Sequence, residues 1–257
     1  MTNDTRNQLV ELSQNLGRPE NDYVILGEGN TSAKIDDRTF WVKASGTHLG
    51  SITAAGFVQV YFEPVLEMLN GPDLSDSQIK AALAAAKVDP AAPGHPSVET
   101  AFHAACLQLP DVNFVGHTHP TTVNMLTCSV AFETAVQGRL FPDEIVICGI
   151  APLLIPYADP GLPLAREIQR RLLEYVDTYG ERPKVALMQN HGLAVLAPTA
   201  RQVENITAMA VKTARILRGT FDFGGPHFMS AENVARIYTR PDEHYRQNVI
   251  GRGQKND

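Results

Sequence analysis

Apolar residues recur at helical spacing near the start of the chain. Leu9, Val10, Leu12 and Leu16 share one side of a 3.6-residue repeat that Gly17 and Pro19 bring to an end, which predicts a helix over 6–16. The pattern then shortens. Tyr23–Leu26, Thr31–Ile35 and Phe40–Val42 are β-rich runs separated by Gly27-Glu28-Gly29-Asn30 and Asp36-Asp37-Arg38, and they predict consecutive antiparallel strands joined by tight turns. An alanine-rich stretch over 75–87, opened by Ser75 or Asp76, predicts another helix, and the prolines at 90, 93 and 96 with Gly94 predict a loop after it. Ser97 is placed to cap a helix running through Gln108, with Val98, Ala101, Phe102, Ala105 and Cys106 toward the core. Asn113–Gly116 reads as a strand leading into His117-Thr118-His119-Pro120, with a helix from Thr121. Ile145–Cys148 and Val185–Met188 read as buried strands on either side of a helix from Pro163 to about Thr178. Pro198-Thr199 opens a long helix to about Arg218, and shorter ones start at Ser230 and Pro241. Irregular alternation after an antiparallel start predicts an α/β protein: a three-layer α/β/α arrangement around a mixed, largely antiparallel sheet, and not a Rossmann unit. One domain is expected over 1–257, with a C-terminal helical extension from about residue 220.

Composition narrows the function classes. Of 257 residues, 28 are acidic and 22 basic, a formal charge of −6, so binding of nucleic acid by bulk charge is excluded. Apolar residues at 44% and charged ones at 19% suit an ordinary globular core. No run approaches the roughly 18 apolar residues of a membrane span, and the polar start Met1-Thr2-Asn3-Asp4 lacks the pattern of an export signal, so a cytoplasmic protein is expected. Cys106, Cys128 and Cys148 are odd in number and lie in apolar runs, which predicts buried reduced thiols rather than a disulfide framework or a metal clip.

The strongest local chemical signal is His117-Thr118-His119. Along an extended segment, side chains at i and i+2 face the same way, so two imidazoles end on one side of a strand end. Asn190-His191-Gly192, at the end of another apolar run, offers a third. Three neutral imidazoles leave a coordination position open, the pattern of a catalytic rather than a structural metal site; a pair of surface histidines beside a helix start is the other reading. Glu99, in the first turn of its helix, either complements the helix dipole or serves as a general acid/base beside the metal. His103, on the same helical face, is a rival ligand.

Gly27-Glu28-Gly29-Asn30-Thr31-Ser32 lacks a third glycine and precedes a strand, so nicotinamide-cofactor binding is rejected. Gly29-Asn30 and Ala44-Ser45-Gly46-Thr47 form either plain hairpin turns or an anion cradle, to which Ser97 would add a hydroxyl. Lys43 reads as a solvated strand lysine in preference to a Schiff-base former. No GxSxG nucleophile elbow occurs in the chain.

Taken in order, Gly29-Asn30-Thr31-Ser32, Ala44-Ser45-Gly46, Ser97-x-Glu99, His117-Thr118-His119-Pro120 and Asn190-His191-Gly192 resemble the class II aldolase/adducin family, from about Leu9 to Arg218. The family includes L-fuculose-1-phosphate and L-rhamnulose-1-phosphate aldolases and L-ribulose-5-phosphate 4-epimerase. The resemblance implies a divalent metal, usually Zn2+, on His117, His119 and His191. It makes Glu99 the proton-transferring residue and a fourth ligand when substrate is absent, and it puts Asn30, Ser45, Gly46 and Ser97 at the phosphate. Where fuculose-phosphate aldolase has a second serine, this chain has Val98, so one hydroxyl contact is missing unless Thr47 compensates.

The implied activity is retro-aldol cleavage of a ketose phosphate or related small sugar. The alternatives are a 4-epimerase or decarboxylase of the same family, or a non-enzymatic adducin-like module. An epimerase needs an additional acid/base, for which Asp143 and Glu144 are candidates against the plainer reading of a loop-turn pair. The resemblance also implies a homotetramer whose sites are completed by a neighbour's C-terminal residues, with Tyr238, Arg240 and Tyr245 as candidates. Tyr157-Ala158-Asp159-Pro160-Gly161 is expected to form an exposed loop near the cleft.

Overall fold

The computed structural model describes residues 2–242. Helix α1 (Thr2–Leu16) buries Leu9, Leu12 and Leu16 as the periodicity requires. The meander follows, but its strands are β1 (Asn30–Lys34), β2 (Thr39–Lys43) and β3 (Phe57–Tyr61), paired antiparallel. The strand expected over Tyr23–Leu26 is absent: Leu26 takes φ 52°, which breaks an extended run, and Ile25 and Leu26 are exposed in a turn.

Helices α2 (Phe62–Asn70) and α3 (Asp76–Ala85) come next; Ser75 and Gln78 form a reciprocal cap at the start of α3. Helix α4 (Thr100–Leu107) begins three residues after Ser97, whose carbonyl accepts from the Thr100 backbone N–H and hydroxyl. Strand β4 (Phe114–Thr118), helices α5 (Thr121–Thr127) and α6 (Phe132–Ala135), and α7 (Pro142–Cys148) lead to β5 (Leu153–Ile155). The expected strand over Ile145–Cys148 is therefore the body of α7. Pro142 at the helix start and acidic Asp143 and Glu144 in its first turn favour that helix. Helix α8 (Leu162–Tyr179), strands β6 (Val185–Met188) and β7 (Gly192–Ala197), α9 (Ala200–Thr220) and α10 (Ala231–Tyr238) complete the described chain. The helix expected from Pro241 and the residue Tyr245 lie largely or wholly outside the described residues.

The seven strands among the described residues form one sheet in the order β3-β2-β1-β4-β7-β6-β5, antiparallel throughout except for the β5–β6 pair. Alternation along each strand sends side chains to two cores. Val42, Val115, Ala194 and Leu196 meet Phe102 and Leu164 of α4 and α8, while Phe114, Leu193, Val195 and Ala197 meet Leu9 of α1 and Val203 of α9. The result is the expected three-layer α/β/α fold with a mixed sheet. Among the described residues no helix is long and apolar enough to cross a membrane. Cys106 and Cys148 are buried, and burial pushes each thiol up to about 12. Cys128 is exposed at the end of α5, contrary to expectation, because the apolar run around it ends with the helix.

Candidate metal centre

The centre of the sheet brings the chemically distinctive residues to one end. The β1–β4 register sets Asn30 opposite His117, and β7 runs on the other side of β4. Gly29 makes this possible. Its φ is +74°, and a Cβ there would lie 2.8 Å from the His117 carbonyl oxygen. His117, the penultimate residue of β4, is fully buried, and His119, two residues on, returns to the same side, with the two Nε2 atoms 3.0 Å apart. His191 arrives on the turn between β6 and β7, where Asn190 adopts φ 54° and His191 N–H donates to the Met188 carbonyl at 3.2 Å. Gly192 next to it is obligatory on space: a Cβ would stand 2.7 Å from the His119 ring and 2.6 Å from the Thr118 carbonyl oxygen. One ligand atom from each of His117, His119 and His191 lies within 4.8 Å of the others.

Glu99 completes the group from the N-terminal end of α4. Its Oε1 lies 3.4 Å from His117 Nε2 and 3.3 Å from His191 Nε2, while Oε2 accepts from Asn30 Nδ2 at 3.3 Å. Burial alone would raise the Glu99 carboxyl, but His117 and His191 outweigh it and hold the group well below the usual carboxylate range. Burial would likewise lower His117; the Glu99 charge and hydrogen bond, with the Leu193 carbonyl, raise it instead. Burial, with the neighbouring His117 and His191, brings His119 down to about 3.

The donor atoms fit a divalent ion. A tetrahedral site with metal–nitrogen bonds of about 2.0–2.1 Å has donors roughly 3.4 Å apart, close to the contacts of Glu99 Oε1 with two of the rings. His117 Nδ1 donates to the Leu193 carbonyl at 2.9 Å, which leaves its Nε2 lone pair for a cation. His103 is not part of the cluster. It is fully buried one turn along α4, its Nδ1 2.7 Å from Ser32 Oγ, and burial brings it down to about 3.

Beside the cluster, Ser97 Oγ accepts from Asn30 Nδ2 at 2.7 Å and from the Glu99 backbone at 3.2 Å. The turn holding Ser45 and Gly46 is stitched to the loop before Ser97, since Ser45 N–H donates to the His95 carbonyl at 2.9 Å. Asn30 and Ser97 are in contact, the Ala44–Pro96 bridge sets the Ser45 turn beside the loop before Ser97, and Ser45 and Gly46 are exposed. The Thr47 hydroxyl donates to the Ala44 carbonyl at 2.8 Å within its own turn, and Val98 is exposed.

Lys43 is buried, not solvated: its ammonium donates to the Gly27 carbonyl at 3.1 Å. Burial pulls its pKa down and Glu99 opposes the shift. The sequence reading missed this, because the burial comes from the 25–29 loop folding over β2. It also missed Lys87, buried with its ammonium on the carbonyls of Pro90, Ala92 and Gly94, which fixes the loop leading to Ser97; a carbonyl cradle leaves no residue pattern to read.

Other candidates lie apart. Glu144 is buried with Oε1 2.7 Å from Arg139 Nη1 and Oε2 accepting from Leu140 N–H at 2.7 Å, so it is neither a loop carboxylate nor a group available for acid/base work. The Tyr238 hydroxyl donates to Glu181 and its ring lies under the Lys184 ammonium, at the end of β6 opposite His191. Arg240 pairs with Asp242. Tyr157 is exposed, as expected, and its N–H donates to Gln189 Oε1 at 3.2 Å, next to the His191 turn.

The profile of the class II aldolase and adducin N-terminal domain matches residues 7–217. The uncharacterised oxidoreductase YuxG of Bacillus subtilis is 26% identical over 196 residues, 73% of this chain; the chain spans only 26% of that protein's length. The 3-oxo-tetronate 4-phosphate decarboxylase of Haemophilus influenzae is 25% identical over 80% of this chain and 85% of its own. The methylthioribulose-1-phosphate dehydratase of Microcystis aeruginosa is 30% identical over 69% and 78%. Among solved structures, the N-terminal class II aldolase domain of a Thermoplasma acidophilum protein aligns with a TM-score of 0.64 at 25% identity, over 81% of this chain and 91% of that one. An L-fuculose 1-phosphate aldolase aligns at 0.67 and 18% identity, over 91% and 94%, a likeness of fold.

Proposed function

Because this chain belongs to the class II aldolase and adducin family, whose enzymes are metal-dependent lyases and their relatives, we propose that it is a metal-dependent aldehyde-lyase cleaving a ketose phosphate or related sugar by retro-aldol chemistry. In this reading His117, His119 and His191 hold a divalent ion, Zn2+ being the one best suited to three imidazoles. Asn30, Ser45, Gly46 and Ser97 receive the substrate's anionic end. The whole of 1–257 is one domain of this type with its helical extension from about 220, and the working assembly is a homotetramer.

The observation that carries the reading is Glu99 Oε1 at 3.4 and 3.3 Å from two imidazole nitrogens of the cluster. When bound, the ion supplies positive charge beside a substrate carbonyl oxygen. The protein's own part is proton transfer. As the carbon–carbon bond breaks, the hydroxyl proton of the departing carbon passes to water and the aldehyde leaves with its new C=O; Glu99, steadied through Oε2 by Asn30 and protonated from water, delivers a proton to the carbon next to the ketone carbonyl, which kept the bonding pair. Ser97 ties the two regions together, since its hydroxyl accepts from both the Asn30 side chain and the Glu99 backbone.

A second reading, loss of CO2 or water from the same kind of substrate, is favoured by the two relatives whose names carry those reactions. Of the two carboxylates the 4-epimerase reading offers, Glu144 is engaged by Arg139 and Leu140 N–H, which leaves Asp143 as its candidate.

The experiment is a screen of ketose 1-phosphates, 3-oxo acid phosphates and unphosphorylated ketoses with the metal-loaded protein, scored separately for aldehyde, CO2 and dehydrated ketone. Aldehyde release abolished by chelation supports the lyase; CO2 or water loss alone transfers the assignment to the second reading. Glu99→Gln is expected to keep its metal and lose about 10²-fold or more in turnover. Near-normal turnover in that variant would refute the proton-transfer role. A chain with no bound metal and no activity on any substrate would instead support an adducin-like module.

A further inference from the structure

The loop that delivers Asn30 also carries a carboxylate with no part in the chemistry above. Glu28 N–H donates to the Ile25 carbonyl at 3.1 Å, and the Glu28 side chain folds back so that Oε2 accepts from Ile25 N–H at 2.9 Å. The loop keeps this shape although Leu26 takes φ 52° with its side chain 77% exposed, so no burial rewards the left-handed backbone. With Oε2 anchored, Oε1 stands 3.7 Å from Nδ1 of His119. The His119 ring therefore has one nitrogen in the cluster and the other beside a fixed carboxylate.

We propose that Glu28 is a positioning residue for His119: its charge holds the imidazole as the Nδ1–H tautomer and in its present orientation, leaving the Nε2 lone pair for the divalent ion. This rests on the assignment of His117, His119 and His191 as ligands. His117 receives the same service from the backbone, through the Leu193 carbonyl. The Glu28–His119 separation exceeds a direct hydrogen bond, so the carboxylate acts on Nδ1–H through its charge or one bridging water. Partners of this kind on the far nitrogen of a ligating histidine raise ligand basicity and fix its rotation.

The test is the zinc dissociation constant, measured by chelator competition for the wild-type chain, Glu28→Gln, Glu28→Ala and His119→Ala, with the melting temperature of each metal-free protein as a control of folding. Glu28→Ala is expected to weaken zinc binding by about 10–100-fold with the metal-free melting temperature unchanged. Glu28→Gln keeps an acceptor for Ile25 N–H but loses the charge, and should weaken it by roughly tenfold. Affinities within twofold of wild type in both, with zinc lost in His119→Ala, overturn the inference and leave the metal assignment standing. Zinc retained by His119→Ala overturns the metal assignment itself. Nitrogen-15 NMR of the metal-free proteins reads the tautomer directly. The Nδ1–H fraction of His119 at neutral pH should be larger in wild type than in Glu28→Gln, and equal fractions overturn the role of Glu28.

Discussion

His103 shows why sharing a helical face with a site residue does not make a ligand. Its i+4 spacing from Glu99 puts it on the same side of α4, yet it is fully buried against Ser32 Oγ and outside the imidazole cluster. Its consequence is for stability. Folded, its pKa is brought down to about 3 by burial, whereas an unfolded histidine titrates near 6.5. Between those values the unfolded chain binds the additional proton, so stability falls as pH drops through that window. At pH 5 the loss from this residue is about 2 kcal/mol. In urea unfolding of the metal-free protein, His103→Gln should lose about that much less than wild type between pH 7 and pH 5; parallel losses in the two proteins would count against it. The other residues of the site divide in the same way. His117, His119, His191 and Glu99 announce themselves by local spacing, because two residues along a strand or one helix turn fixes a direction. Lys43 does not, since what covers it is the 25–29 loop folding over β2.

At the scale of elements, legibility followed length and caps. Helices α1, α3, α8 and α9 were readable because a long periodic face and a marked terminus agree, as with Ser75 for α3 and Thr199 for α9. Strand β7 is buried at every position, so it has no alternation to detect, and β5 has only three residues. The same ambiguity made α7 look like a strand, since four apolar residues in a row suit either state. Its start is fastened by the buried Arg139–Glu144 pair, at 2.7 Å, and by Leu140 N–H on the same carboxylate. Removing one partner strands the other charge in the interior, so Glu144→Ala is expected to cost about 3–5 kcal/mol in denaturant unfolding. Turnover per folded molecule should be retained. A large fall in turnover without loss of stability would instead return Glu144 to the chemistry.

For the whole molecule, the layer arrangement was legible because strand and helix patterns alternate after a meander, whereas the strand order was not. Antiparallel pairing of β4 with both β1 and β7 is settled by tertiary contacts that no local pattern carries. The proposed ion ties together residues that only the folded sheet assembles, so it stabilises the native state by mass action. At free metal a thousandfold above its dissociation constant the gain is about 4 kcal/mol. Calorimetry should therefore find a lower melting temperature after chelation, restored by adding back zinc. An unchanged midpoint would mean that no ion is bound with useful affinity.

The strand order also separates what this protein must preserve from what it is at liberty to vary. The histidines and Asn30 sit on or beside β1, β4 and β7, the middle of the sheet, while its two outer strands, β3 and β5, contribute none of them. Insertions, sequence drift or a newly attached domain along either rim leave the central geometry undisturbed, so one reaction centre can be inherited by chains of very different outline.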